Sequence, residues 1–149
     1  MTERSESFLI EFPPEAHYVS TARIFAAGVA RTYGADEDLV EDLKIAVSEA
    51  CTNAIRAREG GTVNGPVRLS ARRKAQLLSF EAEDAGILPP GPGAEPVIPS
   101  TGSTSEDIIR RLSLETIRAL FPNTEIVPND QGGGNIRFSL SLPAARSPA

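Results

Sequence analysis

Glu49 and Asn53 stand four residues apart in the stretch AVSEACTNAIRA. On a helix that spacing puts a carboxylate and a carboxamide one turn apart on the same face. Small apolar neighbours make this an odd place for two polar side chains, so one reading is a polar pocket. The other is a solvent-facing pair on an amphipathic helix, and spacing alone leaves both open. Further along, Asp84-Ala85-Gly86 closes an alternating run. A carboxylate at a strand end followed by a flexible glycine can receive a ligand, and the same residues are ordinary turn chemistry.

The elements that must position these residues follow from periodicity. Phe8, Ile10 and Phe12 alternate and are followed by Pro13-Pro14, which predicts a strand over Ser7 to Phe12. Glu15 to Tyr33 carries Val19, Ala22, Ala26 and Val29 at helical spacing, with Gly34 as a stop. A second helix is predicted from a cap at Asp36, with acidic Glu37 and Asp38 in its first turn, to near Gly60-Gly61; Leu39, Leu43, Ala46, Val47, Ala50 and Ala54 share one face. Runs at Val67 to Arg72 and Leu77 to Glu83 read as antiparallel strands joined by the polar link Arg73 to Gln76.

Pro89 to Ser105 is too rich in proline and glycine for regular structure and is long for a connection, so residues 89–105 are expected to form a mobile, lid-like loop. Ser103 and Glu106 have the form of a capping box, and a third helix follows, with Ile109, Leu112, Thr116 and Leu120 expected on its apolar face up to Phe121-Pro122. Thr124 to Val127 and the alternating Ile136, Phe138, Leu140 and Leu142 complete the pattern around a glycine-rich turn. The expected architecture is α+β: a two-layer sandwich in which a mixed, mostly antiparallel sheet is covered on one face by three helices.

At 149 residues the chain suits a single domain spanning 1–149. A lone cysteine and a lone histidine leave neither an internal disulfide nor a transition-metal cluster to build. The net charge of -5 argues against a nucleic-acid partner. Arg68, Arg72, Arg73 and Lys74, and the pair Arg110 and Arg111, read as solvated surface or a protein-contact face. No run approaches a membrane span, and the polar start MTERSESF carries no signal peptide, so a cytoplasmic protein is expected.

Taken together, the two polar motifs resemble a known family. Ser48-Glu49-Ala50-Cys51-Thr52-Asn53-Ala54-Ile55 looks like the N box of the anti-sigma-factor serine kinases of the GHKL ATPase superfamily, and Asp84-Ala85-Gly86 resembles the start of their D-x-G-x-G box. The resemblance runs from about Phe8 to Leu142. It implies the Bergerat, histidine-kinase-like ATPase fold, with ATP and Mg²⁺ as cofactors. Glu49 would then be the general base toward a partner serine or orient a water, and Asn53 would hold Mg²⁺ through its hard amide oxygen. Asp84 would accept from the adenine amino group, Gly86 would let the backbone approach the base, and Arg23 would contact a sigma factor or its antagonist.

Some positions depart from the family pattern. Ala57 stands where a histidine is common, Leu88 where the first box has its second glycine, and Arg111-Leu112-Ser113 where the second glycine-rich box should meet the phosphates. Side chains there obstruct the close backbone approach a phosphate cradle needs, and no helix breaker interrupts Ser105 to Phe121. The reading preferred from the sequence is an anti-sigma-type regulator that binds a sigma factor or an anti-sigma antagonist, with ATP dependence left open. The alternatives are an active ATP:protein serine kinase and an ATP-sensing switch without phosphotransfer. A homodimer is compatible with the resemblance.

Overall fold

Alternating apolar residues build the sheet and helical repeats cover it. The computed structural model describes residues 5–59, 63–84, 105–129 and 133–143. Strand β1 (Ser5–Phe12) leads through a single 3-10 turn into helix α1 (Val19–Thr32) and then α2 (Glu37–Glu59). A hairpin of β2 (Val67–Lys74) and β3 (Leu77–Ala82) follows, then α3 (Ser105–Leu120), β4 (Glu125–Pro128) and β5 (Gly134–Ser141).

The strands form one sheet in the order β1-β2-β3-β5-β4. Every pairing is antiparallel, so among the described strands the parallel component of the expected mixed sheet is absent. Because side chains alternate across a strand, one face presents Val67, Leu69 and Ala71 of β2, Leu78, Phe80 and Ala82 of β3, and Ile136, Phe138 and Leu140 of β5, all buried in one cluster with residues of α1, α2 and α3. The opposite face carries serines and charged residues, including Ser70, Glu81, Arg137 and Ser139. The β2–β3 link is tighter than the predicted four residues, since pairing continues to Lys74 and Leu77 and leaves only Ala75-Gln76 to turn. Ala75 takes a left-handed φ of 54° there, a conformation costly for a residue with a Cβ.

Helix α3 corrects one expectation. Ile109 and Leu112 are exposed, Thr116 is exposed and Leu120 is only half-buried, whereas Arg110, Ser113, Leu114, Ile117 and Phe121 face inward. The chain carries two apolar stripes here, and the one holding an aromatic wins: Phe121 packs on Phe138 of the sheet with ring centroids 5.2 Å apart. Choosing that stripe forces Arg110 and Ser113 toward α2. Ser103 of the expected capping box and the expected loop up to residue 104 lie outside the described residues, and Ser105 and Glu106 already belong to α3.

This orientation predicts that Ile117→Ala lowers unfolding stability by about 2–5 kcal/mol, the range for truncating a buried aliphatic side chain, while Leu112→Ala changes it by less than about 0.5 kcal/mol. Urea unfolding of the two variants checks it; the reverse ranking would restore the other stripe to the core.

Candidate functional site

Helix α2 starts at the predicted cap, where Asp36 Oδ1 accepts a hydrogen bond from Leu39 N at 2.8 Å. Its buried alanines at 46, 50, 54 and 57 keep the helix slim, so α1 and α3 both pack closely against it. Asn53 is 1% exposed, and neither its side-chain Oδ1 nor its Nδ2 has a hydrogen-bond partner. An amide buried that way is costly, since each unsatisfied polar atom forfeits its bonds to water. Glu49, one turn earlier, is half-buried and accepts a hydrogen bond at Oε2 from the Ser113 hydroxyl of α3.

Asp84 follows β3 and is fully buried. Its backbone is held by Arg58, which sequence reading passed over. From the last turn of α2, the Arg58 guanidinium donates to the carbonyls of Ala54 at 2.8 Å, Gly65 at 3.1 Å, Pro66 at 3.1 Å, Glu83 at 3.1 Å and Asp84 at 3.1 Å. One side chain thus gathers the helix end, the turn before β2 and the exit of β3. Burial pushes the Arg58 pKa down, while the negative charges of Asp84 and Glu83 act against that shift.

The residue that joins these parts is Arg110. The sequence places it with Arg111 on a solvated surface or a protein-contact face, but it is 8% exposed. Its Nη2 donates to Asp84 Oδ1 at 2.6 Å, and its Nη1 donates to the backbone carbonyl of Asn53 at 2.7 Å. A buried guanidinium needs both a counter-charge and acceptors, and the site supplies them. The signal for it was a helical register, since Arg110 precedes Leu114, Ile117 and Phe121 by four, seven and eleven residues.

The structure therefore brings Glu49, Asn53 and Asp84 to one place, with α3 laid across them. Gly86 and Leu88 lie outside the described residues. Arg23 sits on the other side of α2: its Nη1 donates to Ser48 Oγ at 3.2 Å, one residue from Glu49, and Ser48 Oγ in turn donates to the Lys44 carbonyl at 2.8 Å. Ala57, at the family's histidine position, is buried against Val63. Among the described residues no three His, Cys, Asp or Glu side chains gather as a metal site. A groove of about 800 Å³ lies on the uncovered face of the sheet, lined by Ser70, Ser79, Arg137 and Ser139 among others; Glu49, Asn53 and Asp84 do not line it.

The donors suit a nucleotide and Mg²⁺ unequally. The unpartnered Asn53 amide fits a ligand that brings its own polar atoms or metal. Asp84 Oδ1 and Glu49 Oε2 already accept from α3 side chains, so a base or a hydroxyl substrate competes with Arg110 or Ser113 for those atoms.

A family model described as "Histidine kinase-like ATPase domain" matches residues 12–139. The chain is 46% identical over 56 residues to proteins named "Serine-protein kinase RsbW" from Bacillus thuringiensis (strain Al Hakam), Bacillus cereus (strain B4264) and Bacillus anthracis (strain CDC 684 / NRRL 3495). Those alignments cover 38% of this chain and 35% of each relative, so the chain matches about a third of their length. No helix among the described residues is long and apolar enough to cross a membrane.

Two outcomes are expected. Asp84→Ala strands the Arg110 charge and lowers stability by about 3–5 kcal/mol, and adding Arg110→Met recovers most of the loss, because a buried pair costs most when only one partner is removed; additive losses in a double-mutant cycle would contradict the coupling. Burial pushes the Cys51 thiol pKa up to about 12, so at pH 8 it stays protonated. Iodoacetamide should therefore label it only after denaturation, and rapid labelling of the folded protein would contradict its placement.

Proposed function

As the chain belongs to the histidine kinase-like ATPase domain family, we propose that it is an anti-sigma-type regulator that works by binding a sigma factor or an anti-sigma antagonist in the cytoplasm. The observation that carries the choice of binding over catalysis is the engagement of Asp84 and Glu49 by Arg110 and Ser113. The two carboxylates a kinase would need for base recognition and proton transfer are each engaged at one oxygen from within the chain. Arg23, partly exposed on α1, is the proposed partner contact, and its bond to Ser48 places that contact beside the turn of α2 that carries Glu49.

A specific observation also favours a nucleotide-dependent version of this reading. The buried, unpartnered Asn53 amide is most simply satisfied by a ligand. Bound ATP with Mg²⁺ would supply a phosphoryl group. In that state Asn53 would hold the metal through Oδ1, Asp84 would accept from the adenine amino group, and Gly86 would give the base room. Glu49, freed from Ser113, would accept the proton of a partner serine hydroxyl in the kinase alternative, or would orient nothing in a sensing switch.

Binding of the purified chain to sigma factors and to antagonist proteins from its own genome, followed by titration calorimetry, tests the proposal. Expected is a specific complex weakened at least tenfold by Arg23→Glu, with slow or undetectable phosphorylation of the antagonist. Rapid phosphorylation abolished by Glu49→Gln would make the kinase alternative the right one. No complex with any such protein would overturn the regulatory reading.

A further inference from the structure

Helix α3 is held by two unlike sets of contacts. Its second half is anchored by apolar packing, through Leu114 and Ile117, both buried, and through Phe121 just beyond the helix end, packed at a tilt on Phe138. Its first half is held to the rest of the chain by polar contacts: Arg110 on Asp84 Oδ1 and the Asn53 carbonyl, and Ser113 on Glu49. In that half Ile108 and Ile109 are each 41% exposed and Leu112 is 62% exposed, so none is enclosed in the core. The two halves therefore differ in what releases them. Apolar anchoring yields only with the core, whereas a charge-assisted contact yields to any competitor that offers Asp84 a better donor.

We propose that the first half of α3 is a built-in occupant of the polar site, and that Arg110 is the residue that decides whether a nucleotide is admitted. The inference rests on the reading that this site takes a nucleotide. In the docked state the Arg110 Nη2 donor sits on Oδ1 of the Asp84 carboxylate that a base amino group would use, so the two compete for it. Ser113 does the same for Glu49. Admission requires residues 105–113 to lift away while Leu114, Ile117 and Phe121 stay in the core. Lifting removes the Arg110 lid over the Asn53 carbonyl and gives the buried Asn53 amide the partner it lacks. The apparent nucleotide affinity is the intrinsic one reduced by the fraction of molecules with α3 lifted, so weak binding is a consequence of docking and does not need a defective site.

The test compares the full chain with Arg110→Gln and Ser113→Ala. Glutamine keeps one donor for Asp84 and guards against the misfolding that alanine risks. Hydrogen exchange without nucleotide should show faster exchange in 105–113 for Arg110→Gln and unchanged exchange in 114–120. MgATP should bind Arg110→Gln at least tenfold more tightly than the unmodified chain and Ser113→Ala by a smaller factor. In the unmodified chain, saturating MgATP should reproduce the loosening of 105–113. Exchange that is unchanged, or that rises equally along all of α3, overturns the latch. Weaker or equal MgATP binding by Arg110→Gln also overturns it, because Arg110 then serves the ligand. Selective loosening with no MgATP binding by any variant overturns the admission step together with the nucleotide reading beneath it, and leaves the partner-binding test above to be judged separately.

Discussion

A guanidinium taken out of water has to find its counter-charge and its acceptors where it lies, and Arg110 finds them on two different elements. Asp84 supplies the charge from the end of β3, and Asn53 supplies a carbonyl from α2. That single side chain fixes the approach of α3 to both. It can do so only because other parts are already in place. Arg58 sets the backbone of Asp84 by collecting the carbonyls around it, and the Leu114, Ile117 and Phe121 stripe commits α3 to the face that aims Arg110 inward. The net stabilisation from such a buried pair is small, because desolvation cancels most of the attraction. Its effect is on geometry: hydrophobic packing holds the helix against the core, and the ion pair selects one position along α2.

Helix α2 is the spine on which the competing demands meet. Its run of small residues brings neighbours close on two sides, and its polar residues are dealt out by angle. Ser48 turns toward α1 and meets Arg23, Glu49 turns toward α3 and meets Ser113, and Arg58 reaches past the helix end to the sheet. Asn53 alone among them has a buried side chain with no partner. The proposed partner contact and the polar site therefore share one turn of helix. A disturbance of Ser48 from the Arg23 side and of Glu49 from the Ser113 side would be felt by consecutive residues of the same rigid element, which gives partner binding and site occupancy a short physical connection.

Much of this was legible in the sequence, and the illegible part has a common cause. Alternation in β1, β2, β3 and β5 and the apolar face of α2 gave these elements directly, because each carries one unambiguous periodic signal. Asp36 announced the start of α2, and the spacing of Glu49 and Asn53 announced a shared face. Helix α3 carries two overlapping stripes, and the more aliphatic one, Ile109 to Leu120, is the wrong choice. What decides between them is Phe138, a residue 17 positions beyond Phe121 that no local pattern names. Arg110 and Arg58 were hidden for the same reason. Both satisfy groups distant in sequence: the register of Arg110 with Leu114, Ile117 and Phe121 marks only the face it takes, and no local pattern names Asp84 as its partner.

The missing glycines and the occupied site are two views of one change. In the family that the sequence resembles, glycine near Arg111 and Ser113 would leave backbone open to phosphate, and it would also weaken any helix running through that point by roughly 1 kcal/mol per residue relative to a good helix former. With arginine, leucine and serine there, α3 runs unbroken from Ser105 to Leu120. An unbroken helix carries Ser113 at the angle where its hydroxyl meets Glu49, three residues after Arg110 meets Asp84. A glycine at 113 would have no hydroxyl to offer Glu49. Ser113, where the family pattern has glycine, thus also builds one of the two contacts of the proposed latch, and each additional ~1.4 kcal/mol by which docking is favoured would lower apparent ligand affinity about tenfold. In the proposed latch, the helix that stands in place of the family's cradle competes with the nucleotide for Asp84 and Glu49.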